Sequence, residues 1–278
     1  MEATARKPGN VHPGASFADL TYNDLIVSAN VIAPILAATR DLGIGQAVLK
    51  SVQATDAAVG CNSNLGIILL LAPLAAIPTE IPLVGGISAV LNKLSCRDAK
   101  LVFQAIRIAR PGGMGRLTAQ DISQRPTDTL MEIMCSASDR DLVAAQYANN
   151  FELIFTVGMP LLEQSFNENW QTAIIRLHLT LMASHPDTLI ARKCGLAEAR
   201  QSAILAQSVL DARWPNTPAG RIKLTNLDNW LRARDNRRNP GTTADLITAC
   251  LFAALREEQI KAPPNQLLHQ SLQDNRDA

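Results

Sequence analysis

Apolar residues recur every three or four positions along most of this chain, which is the spacing of one face of an α-helix. Three stretches show the pattern most clearly, and their apolar positions are Leu25, Ile26, Ala29, Ile32, Ala33 and Leu36; Trp170, Ala173, Ile174, Leu177, Leu181 and Met182; and Leu246, Ile247, Cys250, Leu251, Ala254 and Leu255. No segment alternates strictly between apolar and polar residues, and no strand–helix–strand rhythm is present. The pattern predicts an all-α protein of about eight to twelve helices.

Proline and glycine divide this pattern into helices and loops. Pro34 predicts a kink in the first clear helix, and Gly158 with Pro160 predicts a break in a helical stretch over residues 142–162. Loops are expected where the two residue types cluster, at 8–14, 78–86, 110–115, 215–220 and 237–241. None is long enough for a linker. We therefore predict one compact multi-helix domain over residues 1–262, with a polar cleft formed by loops and helix N-termini, and a polar C-terminal tail at 263–278.

Composition excludes several classes of function. The 278 residues are 47% hydrophobic and 18% charged, which is typical of a globular protein with a large core. A net charge of +1 and 4% aromatic residues argue against nucleic acid as a partner. The longest apolar run, residues 65–77, contains Pro73 and is too short to cross a membrane.

Cysteine usage and the N-terminal sequence predict the compartment. The five cysteines are widely spaced and form no Cys-x-x-Cys pair; they are Cys61, Cys96, Cys135, Cys194 and Cys250. Such spacing argues against a disulfide framework or a structural zinc site, and favours a reducing environment. The N-terminus lacks the charged and apolar regions of a signal peptide, so we expect a cytoplasmic protein.

Two short polar blocks stand out against the apolar background. The first covers residues 5–14 (Ala-Arg-Lys-Pro-Gly-Asn-Val-His-Pro-Gly) and is followed by Asp19 and Asp24. The last covers residues 239–246 (Asn-Pro-Gly-Thr-Thr-Ala-Asp-Leu). Proline and glycine fix irregular loops, while the polar side chains supply donors and carboxylates suited to phosphate and metal ions. Loops that open onto helices in this way often carry functional sites.

The charged residues of these blocks have a chemical and a purely structural interpretation. Asp19, Asp24 and Asp245 can hold Mg²⁺ on a polyphosphate. Lys7 can neutralise part of the phosphate charge. Alternatively, Asp19 or Asp24 caps a helix and Lys7 is solvated. Asp245 has capping-box spacing from Thr242, so it could also cap its own helix.

Two further blocks contain helix-start signals next to polar residues. Asn62 and Asn64 lie in the second block, residues 59–66, which precedes the longest apolar run; they suit either an N-cap or an anion site at a helix N-terminus. In the fourth block, residues 187–193, an aspartate stands at a predicted helix start, with Arg192 and Lys193 about a turn later. His178 is predicted to lie at the edge of the core rather than to act in catalysis.

The third block consists of a basic helix face at residues 98–110 and a glycine-containing loop at 111–115. This block lacks the Walker spacing and its final Lys-Ser/Thr, which excludes a P-loop. The chain also lacks the His-Glu-x-x-His, Gly-x-Ser-x-Gly and dinucleotide-binding motifs. The common zinc-protease, hydrolase and dehydrogenase sites are therefore excluded.

Taken in order, these blocks resemble the triphosphoribosyl-dephospho-CoA synthase family over about residues 2–257. The motifs that carry the resemblance are Lys7-Pro8-Gly9-Asn10-Val11, Gly60-Cys61-Asn62-Ser63-Asn64-Leu65-Gly66, Asp187-Thr188 with Arg192-Lys193-Cys194-Gly195, and Asn239-Pro240-Gly241 with Ala244-Asp245-Leu246. The resemblance implies an all-α enzyme that uses ATP and dephospho-CoA. Such enzymes displace adenine from the ATP ribose, join that ribose to dephospho-CoA and keep the triphosphate. The product is the precursor of a carrier-protein prosthetic group.

The resemblance also suggests roles for individual residues. Asp19, Asp24 and Asp245 are the predicted Mg²⁺ ligands; Lys7, Arg192 and Lys193 are predicted to contact the triphosphate; Asn10, Asn62 and Asn64 are predicted to orient ribose or phosphate oxygens; and His12 and Asp24 are the predicted catalytic residues. His12 is the nearest candidate acid or base, and carboxylates stabilise the positive charge that develops when an N-glycosidic bond breaks. A homodimer is one assembly that this hypothesis allows.

This sequence departs from the family pattern in three places. Ser63-Asn64-Leu65 stands where relatives commonly have Thr-His-Lys, and Ser16 stands near a family histidine. Relatives also have a helix ahead of the first motif, which we expect this sequence to lack. The alternative hypothesis is therefore a nucleotide-binding protein, or a ribosyl-type transferase, in the biosynthesis of another cofactor such as one of pterin-dependent one-carbon metabolism.

Overall fold

The computed structural model describes residues 1–112, 127–167 and 169–264. Within these ranges every regular element is a helix, and an isolated antiparallel bridge pairs His12 with Ala15. The prediction of an all-α fold is confirmed. Backbone contacts divide the chain into two compact units, which we call the terminal unit (1–22 with 158–278) and the middle unit (23–157). The domain boundary at residue 262 stays a prediction, and the tail beyond residue 264 lies outside the described residues.

The middle unit is built around one almost entirely buried helix. The helices of this part of the chain are α1 (Tyr22–Ala37), α2 (Thr39–Leu42), α3 (Ile44–Val59), α4 (Leu65–Ala75), α5 (Leu83–Leu91), α6 (Cys96–Ala109), α7 (Leu130–Ala137), α8 (Leu142–Ala148) and a π-helix (Ile154–Gly158). Helix α4 is apolar all round, as expected of a helix buried on every side. The hydroxyl of the fully buried Tyr147 donates to the main-chain oxygen of Leu69 in α4 at 2.6 Å. The apolar run at 65–77 is therefore a core helix. No helix in the described ranges is long and apolar enough to cross a membrane.

Helices α3 and α6 pack closely because a glycine faces an aspartate between them. Asp98 forms a capping box with Ser95 at the start of α6, and its Oδ1 also accepts from the main-chain N–H of Gly45 at 3.0 Å. A Cβ on Gly45 would lie 2.7 Å from the Asp98 Cα, so only glycine fits. One carboxylate thus satisfies the N-termini of two neighbouring helices.

The terminal unit packs its helices around a separate apolar core. Its helices are α9 (Met159–Ser165), α10 (Trp170–Ser184), α11 (Thr188–Cys194), α12 (Leu196–Asp211), α13 (Pro218–Arg232) and α14 (Gly241–Arg256). The main buried cluster consists of Ile175, Leu179, Met182, Ile190, Ala199, Ala206, Val209, Trp214, Leu227 and Leu231. The stripes predicted on α10 and α14 are buried apart from their end residues Trp170 and Leu255, which are partly exposed. This core fixes the helix ends that carry the polar blocks.

The described residues contain fourteen α-helices, more than the periodicity predicted. Glycines with positive φ explain part of the excess: Gly43 separates α2 from α3, and Gly195 separates α11 from α12. The predicted break at Gly158 and Pro160 is wrong in position. The chain turns at Asn150 and Phe151, which have left-handed φ values of 54° and 61°. Pro160 lies in the first turn of α9, where a missing N–H leaves no hydrogen bond unmade.

The buried face of α1 also differs from its prediction. Ser28, Ile32 and Leu36 are its buried residues, whereas Ile26, Ala29 and Ala33 of the predicted apolar face are exposed. Ser28 tolerates burial because its hydroxyl is hydrogen-bonded to the main-chain oxygen of Asp24 and to the Ser63 hydroxyl, both at 2.6 Å. A satisfied serine therefore replaces an alanine in the packed stripe, which apolar spacing alone cannot detect.

The α3–α6 contact gives a test with an internal control. Gly45→Ala should lower the free energy of unfolding by roughly 1–3 kcal/mol, because its Cβ forces the two helices apart. Gly85→Ala in α5, where an added Cβ meets nothing within 4 Å, should leave it unchanged or raise it by up to about 1 kcal/mol. Chemical denaturation of both variants measures the difference. Equal effects would contradict the close approach at Gly45.

Candidate functional site

The first polar block is a loop that is hydrogen-bonded to the Asp228–Arg232 ion pair of α13. The main-chain N–H of Gly9 donates to Asp228 Oδ1 at 2.7 Å. Arg232, one turn later, bonds both Asp228 oxygens through Nε at 2.9 Å and donates from Nη2 to the main-chain oxygen of Asn10 at 2.7 Å. Gly9 has φ +75°, and a Cβ there would lie 2.8 Å from Leu231 Cβ. The loop is therefore fixed through both its N–H and its C=O groups.

Asn10 joins this loop to the last polar block. Its Nδ2 donates to Asn239 Oδ1 at 2.8 Å and to the main-chain oxygen of Pro240 at 3.5 Å. The side chain is 5% exposed, and its Oδ1 has no hydrogen-bond partner among the described residues. A buried acceptor of this kind is costly unless a donor reaches it. The structure thus brings together the first and last blocks, about 230 residues apart, and leaves an oriented carbonyl oxygen at their junction.

Asp187 links the fourth block to the last one. Its Oδ1 accepts from the N–H groups of Leu189 and Ile190 at 2.9 and 3.0 Å, which caps α11. Its Oδ2 accepts from both the N–H and the hydroxyl of Thr243 at 2.8 Å, in the first turn of α14. Asp187 is fully buried, and this burial raises the pKa of its carboxyl above the ordinary value. The four hydrogen bonds act in the opposite direction but are outweighed. One carboxylate therefore holds the N-termini of two helices side by side.

The capping-box interpretation of the last block is wrong. Helix α14 begins at Gly241, so Thr242 is its second residue rather than its cap, and Pro240 provides no side-chain cap. The side chain that accepts from the first turn of α14 is instead Asp187, the N-cap residue of α11. Asp245 lies in the second turn of α14 and is half-buried. Its predicted role as a Mg²⁺ ligand stays a prediction, without capping as a competing explanation.

Lys7 lies inside the protein rather than on its surface. It is fully buried; its ammonium forms an ion pair with Glu2 at 2.9 Å and donates to the main-chain oxygens of Glu2 and Ala5. These contacts use all three of its donors. Contact between Lys7 and a triphosphate stays a prediction, and it requires the pair with Glu2 to open.

The two histidines of this region are neutral near pH 7. Burial and the nearby Arg232 lower the pKa of His12 to about 4. The Gly14 N–H donates to His12 Nδ1 at 3.1 Å, which leaves Nε2 to carry the hydrogen. His178 is fully buried with Nε2 3.2 Å from the main-chain oxygen of Pro8, and burial lowers its pKa to about 3. His12 is thus placed to donate a hydrogen bond through Nε2, whereas His178 supports the loop from inside the core.

Arg192 and Lys193 lie in the last turn of α11, where cations also interact favourably with the helix dipole. Arg192 is exposed and Lys193 is half-buried. The guanidinium of Arg237 donates to the main-chain oxygen of Lys193 at 2.9 Å. The fourth block therefore presents positive charge at the end of the helix whose start is bound to α14.

The remaining predicted residues of the second block belong to the middle unit. Asn62 caps α4, since its Oδ1 accepts from the N–H of Leu65 at 3.2 Å. Asn64 stands at the N-cap position but makes no cap bond; it is buried and donates to the Thr55 hydroxyl at 3.1 Å. Asp24, in the first turn of α1, is half-buried and is joined through Ser28 to the second block. Asn62 and Asn64 line a small hollow together with Cys61, whereas Asp24 is not among its lining residues.

The described residues provide carboxylates but no ready-made metal centre. Asp19 is exposed in the terminal unit. Among residues 1–112, 127–167 and 169–264, no group of three or more His, Cys, Asp or Glu side chains is placed to hold a metal ion. Mg²⁺ commonly binds through one or two carboxylates together with substrate phosphates, so the three predicted ligands remain candidates. The glycine loop of the third block at 113–115 lies outside the described residues.

Several residues that hold this site together were not predicted from the sequence. Asp228 and Arg232 have the i, i+4 spacing of a helical ion pair, a signal that was available. Asn239 and Thr243 lie within a predicted block, but nothing local identifies their distant partners. Asp187 was recognised only as an acid at a helix start.

Comparison with known proteins gives a consistent result. A family model described as ATP:dephospho-CoA triphosphoribosyl transferase matches residues 1–264. A protein of Pseudomonas syringae pv. tomato, described as a probable 2-(5''-triphosphoribosyl)-3'-dephosphocoenzyme-A synthase, is 33% identical over 109 residues. That match covers 38% of this chain, and the chain spans 37% of the length of that curated relative.

A solved structure extends the similarity to the fold. The crystal structure of a protein from Archaeoglobus fulgidus, provisionally described as a triphosphoribosyl-dephospho-CoA synthase, superimposes with a TM-score of 0.67 at 28% sequence identity. The match covers 84% of this chain and 100% of that one. The similarity therefore includes most of the helices described above.

The double cap by Asp187 can be tested against a single cap. Asp187→Asn should lower the free energy of unfolding by about 2–4 kcal/mol, because an amide turns its NH₂ group toward the donors of one helix. Asp141→Asn is the control: Asp141 caps α8 through one oxygen, and asparagine caps equally well, so we expect less than about 1 kcal/mol. Denaturant titration measures both. Similar values for the two variants would contradict the role of Asp187.

His178 should make stability depend on pH in a defined window. Its folded-state pKa of about 3 lies below the unfolded value of 6.5, so the unfolded chain takes up the proton first as the pH falls. Stability should fall from about pH 6.5 toward pH 3. His178→Gln should remove about 2 kcal/mol of the loss between about pH 7 and pH 5.

The half-buried His185 provides the matched control, because burial lowers its pKa as well but it lies outside the loop contact. His185→Gln should flatten the pH dependence less than His178→Gln does. Equilibrium unfolding across the pH range measures both slopes. An unchanged slope in His178→Gln would show that this imidazole is not held neutral.

Proposed function

Since the chain belongs to the ATP:dephospho-CoA triphosphoribosyl transferase family, we propose that it transfers the triphosphoribosyl group of ATP to dephospho-CoA or a closely related acceptor. The bond between C1 of the ATP ribose and adenine breaks, and a bond from that carbon to a ribose hydroxyl oxygen of the acceptor forms. The hydroxyl loses a proton, and adenine leaves having gained one. No phosphoanhydride bond is broken, so the triphosphate stays on the product.

The observation that supports this proposal best is the junction of three polar blocks within the terminal unit. Asn10 bonds Asn239, and Asp187 bonds Thr243, so loops and helix starts that carry the family resemblance lie together. Asn10 Oδ1, buried and without a partner among the described residues, is oriented to accept from a ribose hydroxyl. Arg192 and Lys193 supply positive charge for the triphosphate at the other end of α11.

His12 and Asp24 are the proposed catalytic residues. Because the pKa of His12 is lowered to about 4, its proposed contribution is a hydrogen bond from Nε2 rather than delivery of a proton from an imidazolium. Asp24 offers a carboxylate that stabilises positive charge developing on the ribose ring. Lys7, Asn62 and Asn64 keep their proposed roles as contacts to phosphate or ribose.

We propose that Mg²⁺ binds through one or two of the predicted carboxylates together with the substrate phosphates, since the described residues contain no cluster of three or more metal-binding side chains. Carboxylate oxygens are hard ligands of the type that Mg²⁺ prefers, and Asp19, Asp24 and Asp245 provide them. When bound, Mg²⁺ would neutralise phosphate charge and fix the triphosphate. Asp245 lies on the same helix as Thr243, two residues further along α14, so of the three aspartates it is the one closest in the chain to the Asp187–Thr243 contact.

The alternative hypothesis is not favoured by the comparisons, which agree on one family. It was motivated by Ser63 and Leu65, where relatives have other residues. In the structure Ser63 bonds Ser28, and Leu65 is buried at the start of α4, so both positions serve packing within the middle unit. A homodimer and a cytoplasmic location stay predictions from the sequence.

The proposal predicts that ATP, Mg²⁺ and dephospho-CoA together yield free adenine and a product that retains all three phosphates. Chromatography with mass detection separates adenine from ADP and identifies the joined product. Omission of dephospho-CoA should abolish adenine release if the acceptor is the attacking group. Formation of ADP without adenine would mean phosphoryl transfer and would overturn the proposal.

Asp245→Asn provides a site-directed arm of the same assay. Loss of a Mg²⁺ ligand should reduce turnover at least about 100-fold, with a melting temperature close to that of the wild type without metal. Full turnover in this variant would remove Asp245 from the metal site while leaving the reaction itself in place.

A further inference from the structure

The end of α13 and the segment that follows it are rich in arginine, and most of these arginines have carboxylate partners. Arg232 pairs with Asp228 at 2.9 Å. Arg238 pairs with Glu198 at 2.5 Å and lies 4.0 Å over the Trp230 ring. Arg234 pairs with the same Glu198 at 3.5 Å. These cations are therefore neutralised within the protein. Arg237 differs from all of them.

Arg237 and Lys193 have no carboxylate within ion-pair distance in the described parts of the chain. The exposed Arg237 uses one nitrogen to donate to the main-chain oxygen of Lys193 at 2.9 Å. A guanidinium has five N–H donors, so this bond orients the group and leaves most of its donors available. The Arg237 guanidinium is thus held against the backbone of Lys193, and within the described residues neither side chain has a carboxylate as counter-charge.

The backbone on both sides holds Arg237 in place. Arg234, Asp235 and Asn236 all have left-handed φ values, between 57° and 59°, so a tight turn precedes it. The thiol of Cys194 lies 3.5 Å from the main-chain oxygen of Arg237. Three consecutive non-glycine residues in this conformation are unfavourable without tertiary support. The chain maintains that turn and presents an unpaired guanidinium at its end.

The position of this pair relates it to the proposed site. Asn239, which bonds Asn10, follows Arg237 by only two residues, so their Cα atoms are at most about 7 Å apart. Lys193 lies six residues after Asp187 along α11, or about 9 Å by helical rise. The unpaired cations therefore flank the junction of the polar blocks.

We propose that Lys193 and Arg237 form an anion subsite for the terminal phosphates of a polyphosphate ligand, with Arg237 as a further phosphate-binding residue. A planar guanidinium already held on one side matches the oxygens of a phosphate group with its remaining donors. Identification of the ligand as ATP rests on the proposed function, whereas the subsite itself rests on the charge and geometry of these two residues.

The test compares Arg237→Gln with a matched arginine. Arg221 is also exposed and also donates to one main-chain oxygen, that of Pro215 at 2.8 Å, so Arg221→Gln controls for loss of one positive charge. Isothermal titration with inorganic triphosphate should show binding weakened about 10- to 100-fold in Arg237→Gln and changed less than about twofold in Arg221→Gln. Melting temperatures of all three proteins verify folding.

Two further measurements separate the subsite from the reaction. Arg237→Lys keeps the positive charge but loses the planar guanidinium with its paired N–H donors. Its affinity for triphosphate should therefore lie between those of Arg237→Gln and the wild type. Wild-type protein that binds triphosphate through Arg237 without releasing adenine would keep the subsite and overturn the proposed reaction. Unchanged triphosphate affinity in Arg237→Gln, an equal loss in Arg221→Gln, or no triphosphate binding by the wild type would each overturn the subsite.

Discussion

The arrangement of the terminal unit depends on a single buried carboxylate. Helices α11 and α14 both place their N-termini at Asp187, and each N-terminus carries unsatisfied N–H groups and a partial positive charge. Two such ends repel each other unless a negative group lies between them. Asp187 provides that group, with both oxygens occupied by donors at 2.8–3.0 Å. Two residues before α14 begins, Asn239 of the last polar block accepts the hydrogen bond from Asn10 of the first.

This arrangement changes how anion binding in the region should be understood. Helix N-termini often bind phosphate, but here an internal carboxylate already accepts from three of the N–H groups at these helix starts, those of Leu189, Ile190 and Thr243. Negative charge on a ligand must therefore be met elsewhere, by side chains. The cations at the end of α11 and after α13 satisfy that requirement, and their positions follow from the same two helices.

Much of the fold could be predicted from the sequence, because periodicity records burial directly. The stripes on α10 and α14 are buried as their spacing indicated, and the apolar run at 65–77 is a core helix. The predictions from apolar spacing were wrong where hydrogen bonding or backbone conformation, rather than hydrophobicity, decided burial or the position of a turn. Ser28 is buried because its hydroxyl finds two partners, and the chain turns at Asn150 and Phe151 rather than at a nearby glycine or proline.

The candidate site was less predictable. Its polar residues occur in short blocks that can be recognised in the sequence, but the hydrogen bonds between the blocks join residues that are far apart in the chain. The blocks were recognisable from their polar residues, yet the partner of Asn10 lies 229 residues away and that of Asp187 lies 56 residues away. Lys7 shows the limit most clearly. A lysine beside proline and glycine suggests an exposed loop, whereas this one is fully buried and paired with Glu2.

The pairing of Lys7 with Glu2 has a consequence for proteolysis and protein engineering. In this protein, removal of Glu2 would leave an ammonium group buried without its counter-charge beneath the loop that carries Asn10 and His12. Cleavage between Glu2 and Ala3 would therefore affect the candidate site itself.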